Sequence, residues 1–315
     1  MARMTLDDVS VGCFPFRLGC WLPLLLLGCD RGHGASATSA PAASAATAPA
    51  AVAAVDDAGG RAAPYSFPVP KETVDAVVNP SHLPPYDGPT GSVEGTVYVT
   101  GPQAPDVRLD AHACPAAIDT YGKLFRSAPA AQPDGPRPLA DAVVVVIGYS
   151  GYYLPEREEA KRVTIGANCA YPSRAITMTL GQRLEIVNLS AVPFAPAIER
   201  EFSPAVMMAP PHGAGDAIRI YPRRAEYSPL TDRMAPFVHE DLYVFKHPLH
   251  TVTDTHGHYR IDGLPIGKLT VGVRHPGVGA ETQEPVEVVA NVVQTVDATL
   301  QYTPRAPVVP GSVIP

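Results

Sequence analysis

From about residue 90 onward, short apolar runs rich in Val, Ile, Thr and Tyr are separated by Gly, Pro and Asp. Residues 91–100 (GSVEGTVYVT) alternate apolar and polar positions, which predicts a strand with one buried face. Residues 142–149 (AVVVVIGY) are continuously apolar, as in a strand buried on both faces. Further runs predict strands at residues 162–165, 177–188, 217–221 and 240–245.

The only helical pattern is weak, because residues 155–162 are the best candidate and cover about two turns. Many short strands with turn residues between them are typical of a β-sandwich or a β-barrel. The predicted fold class is therefore all-β.

The first part of the chain has the features of an export signal. An apolar run of about ten residues, 18–28 (LGCWLPLLLLG), follows Arg17 and is too short to cross a hydrocarbon core about 30 Å thick. The run ends in LLG followed by Cys29, which resembles the lipobox of bacterial lipoproteins. The resemblance implies cleavage before Cys29 and acylation of that residue, since several acyl chains anchor a protein stably. An ordinary secretory signal and a cytosolic chain with an apolar core helix are the alternatives.

A segment of small and polar residues follows. Residues 31–64 are almost wholly Ala, Ser, Thr, Pro and Gly, with too little apolar bulk to offset the entropy of ordering. As a coil of about 35 residues, this linker would hold a folded body roughly 30 Å from the lipid surface. We therefore expect a membrane-anchored lipoprotein of the cell envelope that faces the periplasm or the exterior.

Composition and motifs argue against two classes of function, nucleic-acid binding and catalysis. Charged residues make up 17% of the chain and the net charge is -7, with no basic stripe, so nucleic acid is not an expected partner. The chain has no Gly-rich phosphate loop, no G-x-S-x-G and no H-E-x-x-H. We nominate no catalytic residue and do not expect an enzyme, although an unrecognised active site stays an alternative.

Two of the five cysteines belong to the predicted body. Cys114 and Cys169 would lie in an oxidising compartment, where a disulfide between them is the expected state. The bridge would close a loop of about 55 residues and stabilise the fold by about 4 kcal/mol through loop entropy. Two free thiols or a shared metal site are the competing interpretations.

The sequence near the carboxyl terminus contains a family pattern. Residues 253–271 read TDTHGHYRIDGLPIGKLTV and resemble the carboxypeptidase regulatory-like module, whose pattern is T-D-x-x-G-x-Y/F-x-I-x-x-L/V-P-x-G. The pattern predicts a hairpin turn at residues 254–257 and core-facing side chains at Tyr259 and Ile261. The resemblance covers about residues 247–301 and implies a prealbumin-like sandwich without catalytic residues.

A second resemblance covers residues 90–246. The opening strand GSVEGTV, the spaced cysteines Cys114 and Cys169, and the run LGQRLEIVN at residues 180–188 are similar to a cupredoxin-like domain. That family has a Greek-key β-sandwich. The resemblance therefore implies two successive sandwich domains.

The cupredoxin-like resemblance also shows where the chain departs from that family. A type 1 copper site needs a Cys thiolate and two imidazoles, with a weak axial Met. The positions that match these ligands hold residues of other types, namely Phe194, Asp232, Ala235 and Val238. We therefore expect that the copper site has been lost and that the protein holds no cofactor.

Histidines are concentrated late in the chain, at His247, His250, His256 and His258, with His239 nearby. Imidazoles in such numbers could bind a transition metal. The alternative function is thus a periplasmic metal-binding protein that uses the His239–His258 cluster. Solvated or hydrogen-bonded histidines are the competing interpretation.

These observations give a predicted division of the chain and a predicted role. The division is a signal peptide at residues 1–28, a linker at 29–64, an extended lead-in at 65–89, a cupredoxin-like domain at 90–246, a carboxypeptidase regulatory-like domain at 247–302 and a tail at 303–315.

The expected role is non-catalytic binding or scaffolding, with the membrane contacted through lipid and a protein or polysaccharide as partner. The loop at residues 203–216, with Met207 and Met208, is a candidate binding surface.

Overall fold

Our computed structural model describes residues 67–132, 135–199, 201 and 207–304. The predicted signal peptide, Cys29 and the linker lie outside the described residues, as does most of the predicted tail. All described residues fall within one compact unit, Gly59–Pro315. Within them, no helix has the length and apolar character needed to cross a membrane.

Strands dominate the described residues. The helices are α1 (Lys71–Val78) and α2 (Ile118–Tyr121), with one-turn 3₁₀ helices at Pro115–Ala117 and Pro211–Gly213. The strands are β1 (Thr90–Thr100), β2 (Arg137–Pro138), β3 (Val143–Ile147), β4 (Ala160–Ile165), β5 (Ala175–Thr179), β6 (Arg183–Asn188), β7 (Pro196–Ile198), β8 (Ile218–Ile220), β9 (Tyr227–Asp232), β10 (His239–Phe245), β11 (His250–Val252), β12 (His258–Pro265), β13 (Gly267–His275), β14 (Ala280–Val288), β15 (Val293–Thr295) and β16 (Ala298–Gln301). The predicted all-β fold class is confirmed.

The strands form two β-sandwiches, each with its own apolar core. The terminal sandwich packs a sheet centred on β1, which pairs with β2, β12, β15 and β16, against the sheet β11-β3-β13-β14. The inserted sandwich packs the sheet β5-β10-β9-β7 against the sheet β4-β6-β8. The inserted sandwich thus lies, in chain order, between β3 and β11 of the terminal one.

The strand pairing corrects the predicted division at residues 90–246 and 247–302. Strand β1 pairs with β12, with Val93 opposite Ile261, and β3 pairs with β13. Residues 90–147 therefore contribute three strands to the sandwich that the sequence assigned to residues 247–302 alone. Alternation identifies a strand and its buried face, but it carries no information about a partner strand far away in the chain.

The apolar run of β3 is buried on one face and only partly on the other, where Val145 and Ile147 are half-buried, so the prediction of a strand buried on both faces holds in part. Val144 and Val146 lie in the core of the terminal sandwich. Val143 points the other way and packs with Ala175 and Tyr243, which belong to the inserted sandwich. The interface between the two sandwiches, which we call the seam, is therefore apolar at this point.

Three local predictions were wrong. The lead-in at residues 65–89 contains α1, whose Val74, Val77 and Val78 pack on the inserted core with helical spacing. Residues 155–162 form no helix: residues 160–162 belong to β4, and before them Glu156 Oε1 accepts the N–H groups of the next two residues. The run at 177–188 is divided into β5 and β6 by a turn at Gly181, where φ is +101°.

The segment between β1 and β2 crosses from one sandwich to the other. Ala117 and Tyr121 lie in the inserted core, whereas Phe125 lies in the terminal core. The predicted disulfide joins Cys114 of this crossing segment to Cys169, with Sγ atoms 2.00 Å apart and Cα atoms 6.2 Å apart. The bridge therefore links the crossing segment, of which residues 101–132 and 135–136 are described, to the inserted sandwich.

Candidate functional site

The four positions that match copper ligands lie together at one end of the inserted sandwich, and all are buried. Asp232 ends β9, and the backbone N–H of Ala195, next to Phe194, donates to its Oδ2 at 2.7 Å. Ala235 follows in the next turn, where its carbonyl oxygen accepts the N–H of Val238 at 2.9 Å. The structure thus brings the four predicted positions into one neighbourhood.

The Asp232 carboxylate accepts three backbone hydrogen bonds at this end of the inserted sandwich. Its Oδ1 accepts the N–H groups of Met234 at 2.9 Å and Ala235 at 2.8 Å, in addition to the bond from Ala195. Burial raises the pKa of the Asp232 carboxyl, and the three N–H donors oppose that shift. The hydrogen bonds of the Asp232 carboxylate therefore stabilise the turn that follows β9.

These residues do not fit a type 1 copper ion. Phe194, Ala235 and Val238 have no side-chain donor atom, and the two oxygens of Asp232 already accept backbone hydrogen bonds. A carboxylate is also a harder ligand than the thiolate that blue copper requires. The apolar residues instead fill the core of the inserted sandwich.

Three exposed apolar side chains lie on loops at this buried end. Leu189, Met208 and Met234 are each about half exposed, at 50%, 56% and 49%. The loops that carry Leu189 and Met208 are joined by a hydrogen bond from the Asn188 side chain to the Ala209 carbonyl at 3.1 Å. The segment Phe194–Ala195 is hydrogen-bonded both to Ala209 and to Asp232, next to the loop of Met234. We call Leu189, Met208 and Met234 the loop-end surface.

Further bonds hold the same loops in place. The N–H of His212 donates to the carbonyl oxygen of Ser190 at 2.8 Å, and Phe194 and Ala209 exchange two backbone hydrogen bonds. Ser190 is fully buried, and its hydroxyl donates to Asn188 Oδ1 at 2.7 Å. The loop-end surface is therefore carried by a bonded framework, and Met208 of the predicted binding loop belongs to it.

Two of the predicted histidines lie in the seam between the sandwiches. Thr179 donates its hydroxyl proton to Glu156 Oε2 at 2.6 Å and lies 3.1 Å from His250 Nε2, so the imidazole is the donor in that second contact. Burial lowers the pKa of His250 to about 3 and that of His247 to about 4. Both rings pack near Phe245 and are neutral at ordinary pH.

The other two predicted histidines flank a hairpin turn. Asp254 Oδ1 accepts the N–H groups of His256 at 2.7 Å and His258 at 2.9 Å, and both side chains are exposed. The four histidines thus form two pairs in different places. Over the ranges that the structure describes, no three His, Cys, Asp or Glu side chains are grouped to hold a metal ion.

A buried polar cluster was missed by sequence reasoning. Glu240 on β10 is fully buried, and its Oε1 accepts the hydroxyl proton of Tyr121. The Tyr121 oxygen in turn accepts the N–H of Tyr171 at 3.3 Å. Burial raises the pKa of Glu240 well above its usual value. A signal existed, because Glu240 shares its strand face with Leu242 and Val244, both of which face the core.

The hairpin beside His258 has the geometry that the family pattern predicts. The N–H of Gly257 donates to the Asp254 carbonyl at 3.0 Å, and Tyr259 and Ile261 are buried in the terminal core. Residues 242–301 match the family model of the carboxypeptidase regulatory-like domain. In this chain, the carboxypeptidase regulatory-like domain is completed by β1, β2 and β3 from far earlier in the sequence.

Comparison with solved structures found a weak similarity to amicyanin. Amicyanin from Paracoccus versutus (Thiobacillus versutus) is 20% identical with a TM-score of 0.24, over 27% of this chain and 81% of amicyanin. The reduced state of an amicyanin mutant gives 17% identity and a TM-score of 0.24, over 27% and 81% of the two chains. The comparison with curated proteins found no match.

One buried ion pair connects the carboxypeptidase regulatory-like domain to the inserted sandwich. Asp141, just before β3, accepts Nε of Arg126 at 2.7 Å, the hydroxyl of Ser173 at 2.8 Å and the N–H of Arg174 at 3.0 Å. Burial alone would raise the pKa of Asp141, but the Arg126 guanidinium and the other donors outweigh it and leave the pKa below its usual value. The Asp141 carboxylate is therefore charged, and its hydrogen bonds to Ser173 and Arg174 join the two sandwiches.

Proposed function

We propose that this chain is a lipid-anchored envelope protein whose folded body binds a protein partner and performs no catalysis. The observation that carries the proposal is the loop-end surface, where Leu189, Met208 and Met234 expose apolar area on loops that are bonded in place. Rigid scaffolds commonly present binding residues on loops in this way. Exposed apolar side chains on neighbouring loops are a common feature of protein-interaction sites.

The chemistry of the loop-end surface favours a protein over a polysaccharide. Its three side chains are aliphatic or thioether, and thioethers adapt to irregular apolar partners. Sugar hydroxyls need polar groups in the binding site, and the three residues offer none. The proposed partner therefore carries a complementary apolar patch.

The anchoring half of the proposal rests on Cys29 and the linker that follows it. In the full-length chain expressed with its own signal, we expect Cys29→Ser to move the protein from the membrane fraction to the soluble extract. The variant should also lose incorporation of labelled fatty acid. A wild-type chain that is soluble and unlabelled would contradict the anchoring half only.

The binding half can be tested with matched variants. A photo-crosslinking residue at position 208 of the full-length chain, expressed in its own cells, should give one adduct of defined mass. Adding Leu189→Ser and Met234→Ser should reduce the yield about tenfold or more, because central apolar contacts carry most interface energy. A control with Ile266→Ser and Val289→Ser, which are similarly exposed on the terminal sandwich, should leave the yield unchanged. Equal losses in both variants, or no adduct, would overturn the binding half.

A further inference from the structure

The methionines of the folded body differ sharply in exposure, and the two exposed ones both belong to the loop-end surface. Met208 and Met234 are 56% and 49% exposed, whereas Met178 on β5 is fully buried and Met207 is half-buried against the inserted core. The two cysteines of the body are joined in the disulfide and carry no thiol. Among the residues that the structure describes, Met208 and Met234 are therefore the sulfur-containing side chains most open to a dissolved oxidant.

Hydrogen peroxide converts an exposed thioether into a sulfoxide. The sulfur lone pair forms a bond to one peroxide oxygen, the O–O bond breaks, and the other oxygen leaves as water after a proton transfer. The sulfur loses two electrons, and the peroxide gains them. The product is a polar side chain in place of a flexible apolar one, and methionine sulfoxide reductases reverse the change.

Oxidation at these two positions would change the loop-end surface and leave the fold intact. In the free protein, solvent hydrates the new sulfoxide oxygens of Met208 and Met234. Against an apolar partner, each oxygen loses that hydration without gaining a hydrogen-bond donor, which weakens binding. The turn at Met234 depends on its backbone N–H, which donates to Asp232 Oδ1 at 2.9 Å and is not altered by oxidation of the side chain.

We propose that Met208 and Met234 are oxidation sites that regulate partner binding: peroxide oxidises both thioethers and releases the apolar partner, and reduction of the sulfoxides restores binding. This inference rests on the proposed function, because it names the regulation of the same surface. The third residue of that surface, Leu189, has no oxidisable atom. Sensitivity to peroxide therefore depends on the two methionines alone.

A map of oxidised residues tests the selectivity. After brief treatment of the folded full-length protein with hydrogen peroxide, peptide mass spectrometry should find one added oxygen on Met208 and on Met234 at least about tenfold faster than on Met178, because susceptibility follows exposure. The difference should disappear in unfolded protein. The unfolding midpoint of the oxidised protein should stay within about 2 °C of the untreated value, since changes at exposed side chains rarely alter stability. Equal rates at Met178, or a large fall in the midpoint, would overturn the proposal.

Partner binding is measured with a photo-crosslinking residue at position 189 of the full-length chain in its own cells. Peroxide treatment before illumination should lower the adduct yield about tenfold, because central apolar contacts carry most interface energy. In a chain with Met208→Leu and Met234→Leu, the treated and untreated yields should be equal, whatever the untreated yield of that variant. Met207→Leu is the matched control and should keep the tenfold loss, because both exposed thioethers remain. The partner is oxidised equally in all three chains, so the comparison isolates Met208 and Met234.

The outcomes separate this regulation from the binding on which it depends. No adduct in untreated cells would remove the partner and the regulation together. An adduct whose yield is unchanged by peroxide in the wild-type chain, or falls equally in the double Leu variant, would overturn the regulation and leave the binding half intact. Recovery of the adduct after incubation of permeabilised cells with methionine sulfoxide reductases would support the reversible switch, and an unrecovered yield would count against it.

Discussion

The carboxylate of Asp141 accepts the backbone N–H of Arg174 at 3.0 Å, and this bond crosses from one sandwich to the other. The same carboxylate is paired with Arg126 of the crossing segment, and its side chain is only 3% exposed. Three parts of the chain that are distant in sequence therefore converge on one buried charge. The seam between the sandwiches is specified by this charge as well as by the apolar contacts of Val143, Ala175 and Tyr243.

The first prediction follows from that convergence. Asp141→Ala leaves the Arg126 guanidinium without its partner in a largely buried place, and we expect the free energy of unfolding to fall by about 3–5 kcal/mol. Urea denaturation followed by circular dichroism or tyrosine fluorescence measures the change. Asp106→Ala is the control, because it breaks the exposed Lys123–Asp106 pair and should change stability very little. Equal effects of the two variants would refute the assigned role of Asp141.

The second prediction concerns the pH dependence that Glu240 imposes. Its pKa is raised in the folded protein, so the folded chain holds a proton that the unfolded chain releases above its ordinary pKa of 4.5. The stability contributed by this proton is complete below that pKa and is lost as pH rises through the folded value. Glu240→Gln does not titrate, so its advantage over wild type should grow between about pH 5 and pH 8. A constant difference across that range would contradict the buried, neutral carboxyl.

The third prediction concerns His250 and His247, for which stability changes with pH in the opposite direction. The pKa of His250 is lowered from 6.5 to about 3 and that of His247 to about 4. Below pH 6.5, these histidines therefore bind protons in the unfolded chain but not in the folded chain. The free energy of unfolding consequently falls as the pH decreases below 6.5. We expect His250→Gln, which keeps a donor for Thr179, to recover on the order of 1–3 kcal/mol near pH 5. His256→Gln on the exposed hairpin should recover nothing, and a recovery there equal to that of His250→Gln would refute the assignment.

Sequence reasoning succeeded where the determining interactions are local. The hairpin at residues 254–257 was predicted because Asp254 and Gly257 have the side chain and the backbone freedom that the turn needs, and Tyr259 and Ile261 follow with period two. The disulfide was predicted from the small number of cysteines in the body. In both cases few alternatives exist, so residue type and spacing are enough.

Sequence reasoning failed where the determining contact is distant. The alternation in β1 is compatible with either sandwich, and only its pairing with β12 assigns it to the terminal one. The role of Asp232 in binding three N–H groups depends on the loop that contains Ala195, more than thirty residues earlier. Glu240 could have been suspected from its apolar strand face, but its partner Tyr121 lies in the crossing segment, which no local pattern assigns to that core.

The last prediction tests the disulfide as the fastening of the crossing segment. The bridge spans a sequence separation of 55 residues, and replacing both cysteines by Ser should lower the free energy of unfolding by about 4 kcal/mol. Without the bridge, residues 110–121 of the segment are held to the inserted sandwich chiefly by the bond from Tyr121 to Glu240 and by apolar contacts, while Arg126 stays paired with Asp141. Limited proteolysis should therefore cut within residues 101–132 faster than in wild type. Tyr121→Phe alone, with the disulfide intact, should accelerate cleavage much less, because the bridge still limits how far the segment can open. If proteolysis instead begins in the terminal sandwich of the Ser variant at an unchanged rate, the segment is held by packing and the bridge is not its fastening.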